Sequence, residues 1–477
     1  MDKGFKRFIG SVFPVGTKRR WFLSSVAGLL GMAPQIPVTG STPGSRAFNA
    51  LIDTARPLDK DDTAYWAPIR NLLRIKTELF LSDPENALEF PVFDPPVVSI
   101  LLVTFNSAEY TFQCLETVKA HTDVPYEVII VDNASTDRTG DLLGQTRNAR
   151  VIRNSGNTGF LKACNLGAKA ALGKYILFLN NDTQVTPGWL TGLVSAVETY
   201  PKCGAAGAKL LQPDGRLQEA GCIIWRDGST SPYGRGSNPF VPEVSHLREV
   251  DYCGGACLLV RKDIFFELGG FDERYAPAYY EEADLCMGIR ERGLKVVYQP
   301  ASGVIHYEYG SGSFKKALRT AQVNQAKFTA KWKKTLVGHL EPSGENILYA
   351  RDKRKGPRVL MIDGRGSVAD RDRTIDLLTR LSGSGCAVTL FISQPGEPPR
   401  PHAKELRQKG VEVIREEGES GLLEFSKARR GLYDFILFDG PPRDAIREAV
   451  GKYFQRAVII DDDPAGVIEK INGSKGV

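Results

Sequence analysis

The sequence predicts an α/β protein: a mostly parallel sheet with flanking helices, followed by a second, Rossmann-like α/β domain. Three observations predict it. From Val97 onward, short runs rich in Val, Ile, Leu and Phe alternate with segments of helical periodicity, the βαβα rhythm of a parallel sheet buried on both faces. Two of those runs end abruptly in acids and amides: Glu127–Val131 runs into Asp132-Asn133, and Tyr175–Leu179 runs into Asn180-Asn181-Asp182. A composition break at 341–357 then precedes a second alternating series.

Taken in order, residues 1–50 read as a poorly ordered or interfacial segment. Lys18-Arg19-Arg20 precedes the apolar stretch Trp21–Ala33, which is shorter than the roughly 20 residues a membrane span needs. A signal peptide, an interfacial segment giving peripheral membrane association, and a plain tail all fit that pattern. Residues 51–96 form a helical lead-in, with apolar positions from Tyr65 to Phe80 at helical spacing and Pro91, Pro95 and Pro96 closing it. The main domain, 97–340, opens with strand Val97–Thr104 and helix Ser107–His121, for which Ser107 is the expected N-cap. Strand Val128–Val131, a short helix over Thr136–Gln145, strand Val151–Ile152, helix Thr158–Leu172, strand Ile176–Leu179 and helix Trp189–Tyr200 follow. Strands Gly204–Leu211 and Cys222–Trp225 flank a turn at Asp214-Gly215. Residues 227–245, rich in Gly, Ser and Pro, read as a mobile lid. Strand Asp251–Arg261, helices Lys262–Leu268 and Glu282–Arg292, strand Val296–Gln299 and a basic amphipathic helix Lys315–Trp332 complete the domain. After the linker 341–357, the domain 358–477 carries strands Val359–Ile362, Ala387–Ile392, Val411–Ile414, Tyr433–Phe438 and Ala457–Ile460. Helices fall between them, near 371–383, 401–409, 419–430 and 443–453.

Composition narrows the function classes. The chain has 477 residues, 42% apolar and 25% charged, which is an ordinary globular balance large enough for two or three domains. A net charge of +6 with scattered basic residues gives no nucleic-acid signature. The eight cysteines include no CxxC pair, so buried thiols in a reducing, cytoplasmic setting are expected.

Ligands of parallel sheets bind at the carboxyl ends of the strands. Asp132 and Asn133, at one such end, suit the N–H and hydroxyl donors of a base or ribose. Asn180 and Asp182, at another, suit Mg²⁺ or Mn²⁺, which take oxygen ligands and enter with substrate phosphates. The glycine-bearing stretch Asn154–Phe160 permits close backbone approach ahead of a helix N-terminus. Glu281, Glu282 and Asp284 cluster at a helix start, either as caps or as a general base whose pKa its neighbours raise. His306 is one of five histidines and offers a ring nitrogen to a metal.

Together these elements resemble the family 2 inverting glycosyltransferases of the GT-A fold, in their bacterial rhamnosyltransferase-like branch. The resemblance covers residues 97–315. It rests on Val98–Asn106, Val-Asp-Asn-Ala-Ser-Thr-Asp at 131–137, Asn-Thr-Gly-Phe at 157–160, Leu-Asn-Asn-Asp-Thr at 179–183, Gly-Gly-Phe-Asp-Glu at 269–273 and Tyr-Tyr-Glu-Glu-Ala-Asp-Leu-Cys at 279–286. It implies a GT-A-type nucleotide-binding sheet. It also implies a nucleoside-diphosphate sugar donor, UDP- or dTDP-linked, and a glycan or lipid-linked acceptor in bacterial polysaccharide biosynthesis at the inner face of the membrane. By resemblance Asp132 contacts the base, Thr104, Asn106, Asn133, Asn157 and Gly159 line the nucleotide pocket, and Asp182, Asn180 and His306 serve the metal. Relatives often carry Asp where Asn180 stands, and Asp where Glu282, the implied base, stands; Glu281 and Asp284 are the alternatives. The unit 358–477 resembles the first half of a GT-B glycosyltransferase, which implies acceptor binding or a partner glycosyltransferase. A sugar nucleotidyltransferase and a non-catalytic glycan-binding scaffold are the rival functions. The former needs a basic, Gly-rich loop after the first strand, where this chain has Asn106–Tyr110.

Overall fold

The computed structural model describes residues 67–308, 314–363, 371–392, 402–416, 418–439, 444–460 and 471; the expected N-terminal segment 1–50 lies outside them. Helix α1 (Ala67–Leu81) and strand β1 (Leu88–Glu89) lead in. The alternating series runs β2 (Val98–Thr104), α2 (Ala108–His121), β3 (Tyr126–Asp132), α3 (Thr139–Gly144), β4 (Thr146–Arg147), β5 (Ala149–Arg153), α4 (Phe160–Ala168), β6 (Tyr175–Asn180), β7 (Thr183–Val185) and α5 (Trp189–Thr199). Then come β8 (Cys203–Leu211), β9 (Leu217–Glu219), β10 (Cys222–Ile224), β11 (Thr230–Pro232), β12 (Arg248–Glu249), β13 (Cys257–Arg261), α6 (Lys262–Glu267), α7 (Glu281–Glu291), β14 (Lys295–His306) and α8 (Phe314–Leu336).

Ten of these strands form one sheet in the order β12-β14-β8-β13-β6-β2-β3-β5, with β7 on β14 and β9 on β8. Strands β6, β2, β3 and β5 are parallel, while β13 runs antiparallel to both β6 and β8. The strands are apolar throughout because both faces are covered. Alternate residues enter opposite cores: Leu101, Val103, Ile129 and Val131 in one, Ile100, Leu102, Val128 and Ile130 in the other. Thr104 lies opposite Asp132, and Val103 opposite Asn180, so the polar strand ends are level with one another.

Three expectations need correction. The strand expected at Val296–Gln299 continues as β14 to His306, with an irregularity between Gln299 and Gly303 in its register on β8. Pro300, which cannot donate to a ladder, sits in that interruption and hides the continuation. Ser107 does not cap α2: its backbone is left-handed (φ 61°) and its side chain makes no cap bond, so Asp137 Oδ2 accepts from Ala108 N at 3.1 Å instead. Residues 227–245 are not an open lid. Arg351 donates to Tyr233 Oη at 2.8 Å, Lys209 donates to the Pro239 carbonyl at 2.6 Å, and Tyr298 donates to the Val244 carbonyl at 2.8 Å. Glycine and proline content marks irregular backbone, which tertiary bonds can hold in place.

After α9 (Ile347–Ala350), the second unit contains β15 (Arg358–Asp363), α10 (Arg371–Gly383), β16 (Ala387–Ile392), α11 (His402–Gln408), β17 (Glu412–Arg415), α12 (Gly418–Ala428), β18 (Phe435–Asp439), α13 (Asp444–Tyr453) and β19 (Val458–Ile460). Its five strands are all parallel, in the order β17-β16-β15-β18-β19. A buried ionic cluster joins the two units. Glu412 accepts from Arg351 at 2.9 Å and from Arg429 at 2.6 and 3.0 Å, and Thr389 Oγ1 donates to it at 3.0 Å. Arg429 also reaches Glu243 of the 227–245 segment at 3.5 Å. Burial opposes the Glu412 charge, yet Arg351 and Arg429 hold its carboxyl well below the usual range.

Candidate active site

The ends of β2, β3 and β5 build one wall of a crevice. Asp132 is buried and its Oδ1 accepts from Ser135 N at 3.0 Å. Asn106, in the left-handed region (φ 59°), accepts from Thr136 N at 2.7 Å and draws the 104–107 turn against the 133–136 turn. Thr104 Oγ1 lies 3.0 Å from Thr111 Oγ1, to which Asn181 Nδ2 also donates at 3.0 Å. Asn133 accepts from Asn154 at 2.7 Å and from Thr158 at 3.1 Å, and donates to the Gly159 carbonyl at 3.2 Å. Asn157 Oδ1 accepts from Gly159 N at 2.9 Å. Gly159 has φ 86°, and a Cβ there would fall 2.7 Å from Pro277 Cβ, so only glycine fits. The amides of Asn106, Asn133 and Asn157 thus shape the loops, leaving Asp132 as the acid of this wall.

The second wall depends on β14. Its last residue, His306, pairs with Thr183 of β7, which brings the imidazole against the end of β6. His306 Nε2 is 3.2 Å from Asp182 Oδ1 and 3.3 Å from Asn180 Nδ2, while its Nδ1 is 3.0 Å from Gln218 Nε2. Burial alone would lower the His306 pKa, but the Asp182 carboxylate, with Glu308 and Glu219 adding to it, offsets burial and the net shift is upward. Among the described residues no group of three or more His, Cys, Asp and Glu side chains converges for a metal. Asp182 Oδ1 and His306 Nε2 would supply two ligand atoms, and Mg²⁺ and Mn²⁺ commonly complete their shell with waters and phosphate oxygens. The donor set fits such an ion.

The third component is the start of α7. Tyr279 and Tyr280 hold left-handed backbones (φ 73° and 76°), a strained pair immediately before Glu281 and Glu282. Helix α8 enforces it: Asn324 Nδ2, with two protons to share, lies 2.7, 2.9 and 3.0 Å from the carbonyl oxygens of Tyr275, Ala278 and Tyr279. Glu281 Oε2 and Glu282 Oε2 are buried with no hydrogen-bond partner. Burial pushes the Glu282 carboxyl up to about 7, with Glu219 adding to the rise. Burial and the Glu282 charge push Glu281 well above the usual range. Asp284 differs. It accepts from Tyr275 Oη at 3.0 Å, Lys331 Nζ at 2.7 Å and Trp332 Nε1 at 2.7 Å, so its carboxylate ties α7 to α8.

The turn Gly254–Ala256 connects the walls. Asn180 N donates to the Ala256 carbonyl at 3.0 Å, Gly254 N donates to Glu219 Oε1 at 2.7 Å, and a Cβ on Gly255 would lie 3.7 Å from Glu282 Cβ. Sequence reasoning missed Gln218, Glu219 and Asn324. Gln218 and Glu219 lie on β9, the return strand after the Asp214-Gly215 turn, and only that hairpin signal could have pointed to them. Asn324 carries no local signal. All eight cysteines are buried and free, as expected. No helix of the described residues is long and apolar enough to cross a membrane.

Residues 99–266 match the glycosyl transferase family 2 profile. The chain is 30% identical over 240 residues to the N-acetylglucosaminyl-diphospho-decaprenol L-rhamnosyltransferase of Mycobacterium tuberculosis, covering 44% of this chain and 76% of that protein. It is 33% identical over 235 residues to the O-antigen biosynthesis protein RfbC of Myxococcus xanthus, covering 47% of this chain. The chain spans 18% of the length of RfbC and 26% of that of the uncharacterized Sinorhizobium fredii protein y4gI. Among solved structures, a mannosyltransferase from Pyrobaculum calidifontis in complex with GDP-Man and Mn²⁺ is 17% identical, with a TM-score of 0.38 over 61% of this chain and 78% of its own. The chain belongs to glycosyl transferase family 2.

Proposed function

We propose that this chain is an inverting glycosyltransferase. It moves a sugar from a UDP- or dTDP-linked donor to a hydroxyl of a glycan or lipid-linked acceptor in cell-surface polysaccharide synthesis, at the inner face of the membrane. The observation that carries the reading is the approach of His306 Nε2 to Asp182 Oδ1 at 3.2 Å, level with Asp132 and one turn away from Glu282. The relative from M. tuberculosis, whose name gives a diphospho-decaprenol-linked acceptor and a rhamnosyl product, supports a lipid-linked acceptor and a deoxyhexosyl donor.

In this reading Asp132 binds the base or ribose on one side of the crevice. Asp182 and His306, with Asn180 beside them, hold Mg²⁺ or Mn²⁺ on the other. The ion, when bound, stabilises negative charge on the diphosphate. Glu282 is the general base: its carboxylate takes the proton from the acceptor hydroxyl as that oxygen bonds to the anomeric carbon. The bond from that carbon to the diphosphate oxygen breaks, its electron pair leaves with the diphosphate, and attack from the opposite face inverts the centre. A base with a pKa near 7 is ionised in about half the molecules at neutral pH and still holds a proton well, a combination that suits the task. Glu281, more deeply buried, keeps its proton and keeps Glu282 the only negative charge of the pair. Asp284 positions α7.

Calorimetry with UDP and with dTDP, each with and without Mn²⁺, tests the reading. Binding of one nucleoside diphosphate, tightened by Mn²⁺, is expected. Absence of binding to either would remove it, and a triphosphate bound in preference would favour a nucleotidyltransferase.

A further inference from the structure

We propose that Gln218 is a positioning residue for His306: its carboxamide oxygen accepts the Nδ1 proton and so turns an unprotonated Nε2 toward Asp182. The inference deepens the reading of Asp182 and His306 as the metal side of the site, and rests on it. Two arrangements of the amide occupy the same shape, because the oxygen and nitrogen of a carboxamide can exchange places by a half-turn.

In the first, Gln218 Nε2 donates to His306 Nδ1 at 3.0 Å. The proton then sits on Nε2 and points at Asp182 Oδ1, 3.2 Å away. This arrangement has two faults. Gln218 Oε1 remains buried without a partner. The Nε2 proton also meets another donor, Asn180 Nδ2, at 3.3 Å. A buried acceptor left unfilled costs roughly 1–3 kcal/mol.

The half-turn gives the amide oxygen a partner and clears the meeting of two donors at Nε2, and it carries the amide nitrogen to the place the oxygen held. Gln218 Oε1 now accepts the proton of Nδ1 and is no longer an orphan. The bare Nε2 accepts from Asn180 Nδ2. That single lone pair also faces the Asp182 Oδ1 carboxylate oxygen 3.2 Å away, a meeting of two acceptors that a cation taking the place of the Asn180 contact would relieve. Histidines that bind metals commonly donate their other ring proton to such an acceptor, which fixes the tautomer and the ring plane. Strand β9 delivers the amide because its antiparallel pairing with the end of β8 returns the chain to the carboxyl edge of the sheet, where β14 ends. The same strand carries Glu219 to the Gly254 turn, so two adjacent residues serve the two walls of the crevice.

The test uses the full chain. Long-range ¹⁵N NMR of histidine-labelled protein above the imidazole titration, without metal, reads which nitrogen of His306 carries the proton, with His306→Gln giving the assignment. Nδ1–H is expected in the wild type, and Nε2–H in Gln218→Leu. Mn²⁺ titration followed by electron paramagnetic resonance in the presence of UDP is expected to show about tenfold or greater weakening in Gln218→Leu. Gln218→Glu, an acceptor that cannot donate when ionised, is expected to retain Mn²⁺ affinity. An Nε2–H wild-type tautomer, or a folded Gln218→Glu protein with lost Mn²⁺ affinity, overturns the proposal, even where Gln218→Leu does not fold. If the wild type binds no Mn²⁺ with UDP, the functional reading fails, and the tautomer still decides the role of Gln218.

Discussion

The two large sheets among the described residues handle buried charge in opposite ways. In the first, the polar atoms at the site are under-satisfied: Glu281 Oε2, Glu282 Oε2 and Gln218 Oε1 are buried without partners. In the second, Glu412 is buried just as deeply but receives four hydrogen bonds from Arg351, Arg429 and Thr389. A complete set of partners fixes a joint. An incomplete set leaves a carboxyl with a raised pKa and unused acceptor capacity, which is free energy set aside for a ligand. In the proposed reading, burial of an acid does not by itself mark function; missing partners at the strand ends do.

Four outcomes sharpen or break that contrast. The largest is expected from Asp182→Ala. Losing several kcal/mol of charge stabilisation on the leaving group lowers turnover roughly 10³-fold or more, measured as nucleoside diphosphate release across a panel of sugar nucleotides. A rate within a few-fold of wild type would remove Asp182 from the site. Next, Glu282→Gln is expected to cut turnover about 10²–10⁴-fold while donor affinity by calorimetry stays near wild type. If Glu281→Gln has the larger effect, the base is the other member of the pair.

Glu412→Ala is expected to act on the other side of the comparison. It leaves two guanidinium groups buried together without their counter-ion, a loss of about 3–5 kcal/mol in stability by chemical denaturation. Donor binding per folded molecule is expected to persist, since Glu412 touches none of the site residues. A fall in donor affinity with stability unchanged would show that the joint belongs to the site.

The smallest effect is on pH. A base raised to about 7 must lose its proton to work, so kcat/KM is expected to climb with pH through a midpoint near 7. Glu219→Gln removes one of the charges that raise Glu282, and the midpoint is expected to move down. The sign for stability is the reverse of that for activity. The folded pKa lies above the unfolded one, so the folded form binds more protons, and stability falls as pH rises from the ordinary Glu range toward 7. A midpoint that is the same in Glu219→Gln would remove Glu219 from the Glu282 environment.

Much of the fold was legible because its signals are local. The parallel series from β2 to α5 and the second unit follow the alternation of apolar strands and amphipathic helices, with ends that differ by a few residues. Asp132, Asn180 and Asp182 could be read as site candidates because charged and amide residues directly after buried strands have few other uses. Glu281, Glu282 and Asp284 could be read only as a cluster. Their separation into two acids with an unpartnered oxygen each and one tied to Lys331 and Trp332 depends on a helix some 50 residues further along.

By itself, the sequence determined the elements, the family and the polar strand ends, since each depends on composition and spacing within a few residues. The tertiary structure alone decided which side chains meet. His306 reaches Asp182 because β14 continues past Pro300, Gln218 reaches His306 because a hairpin returns, and segment 227–245 is held by Arg351 and Arg429, both more than a hundred residues later. Such contacts join residues far apart in the chain, and their free energy comes from burial and pairing that no local window of sequence contains.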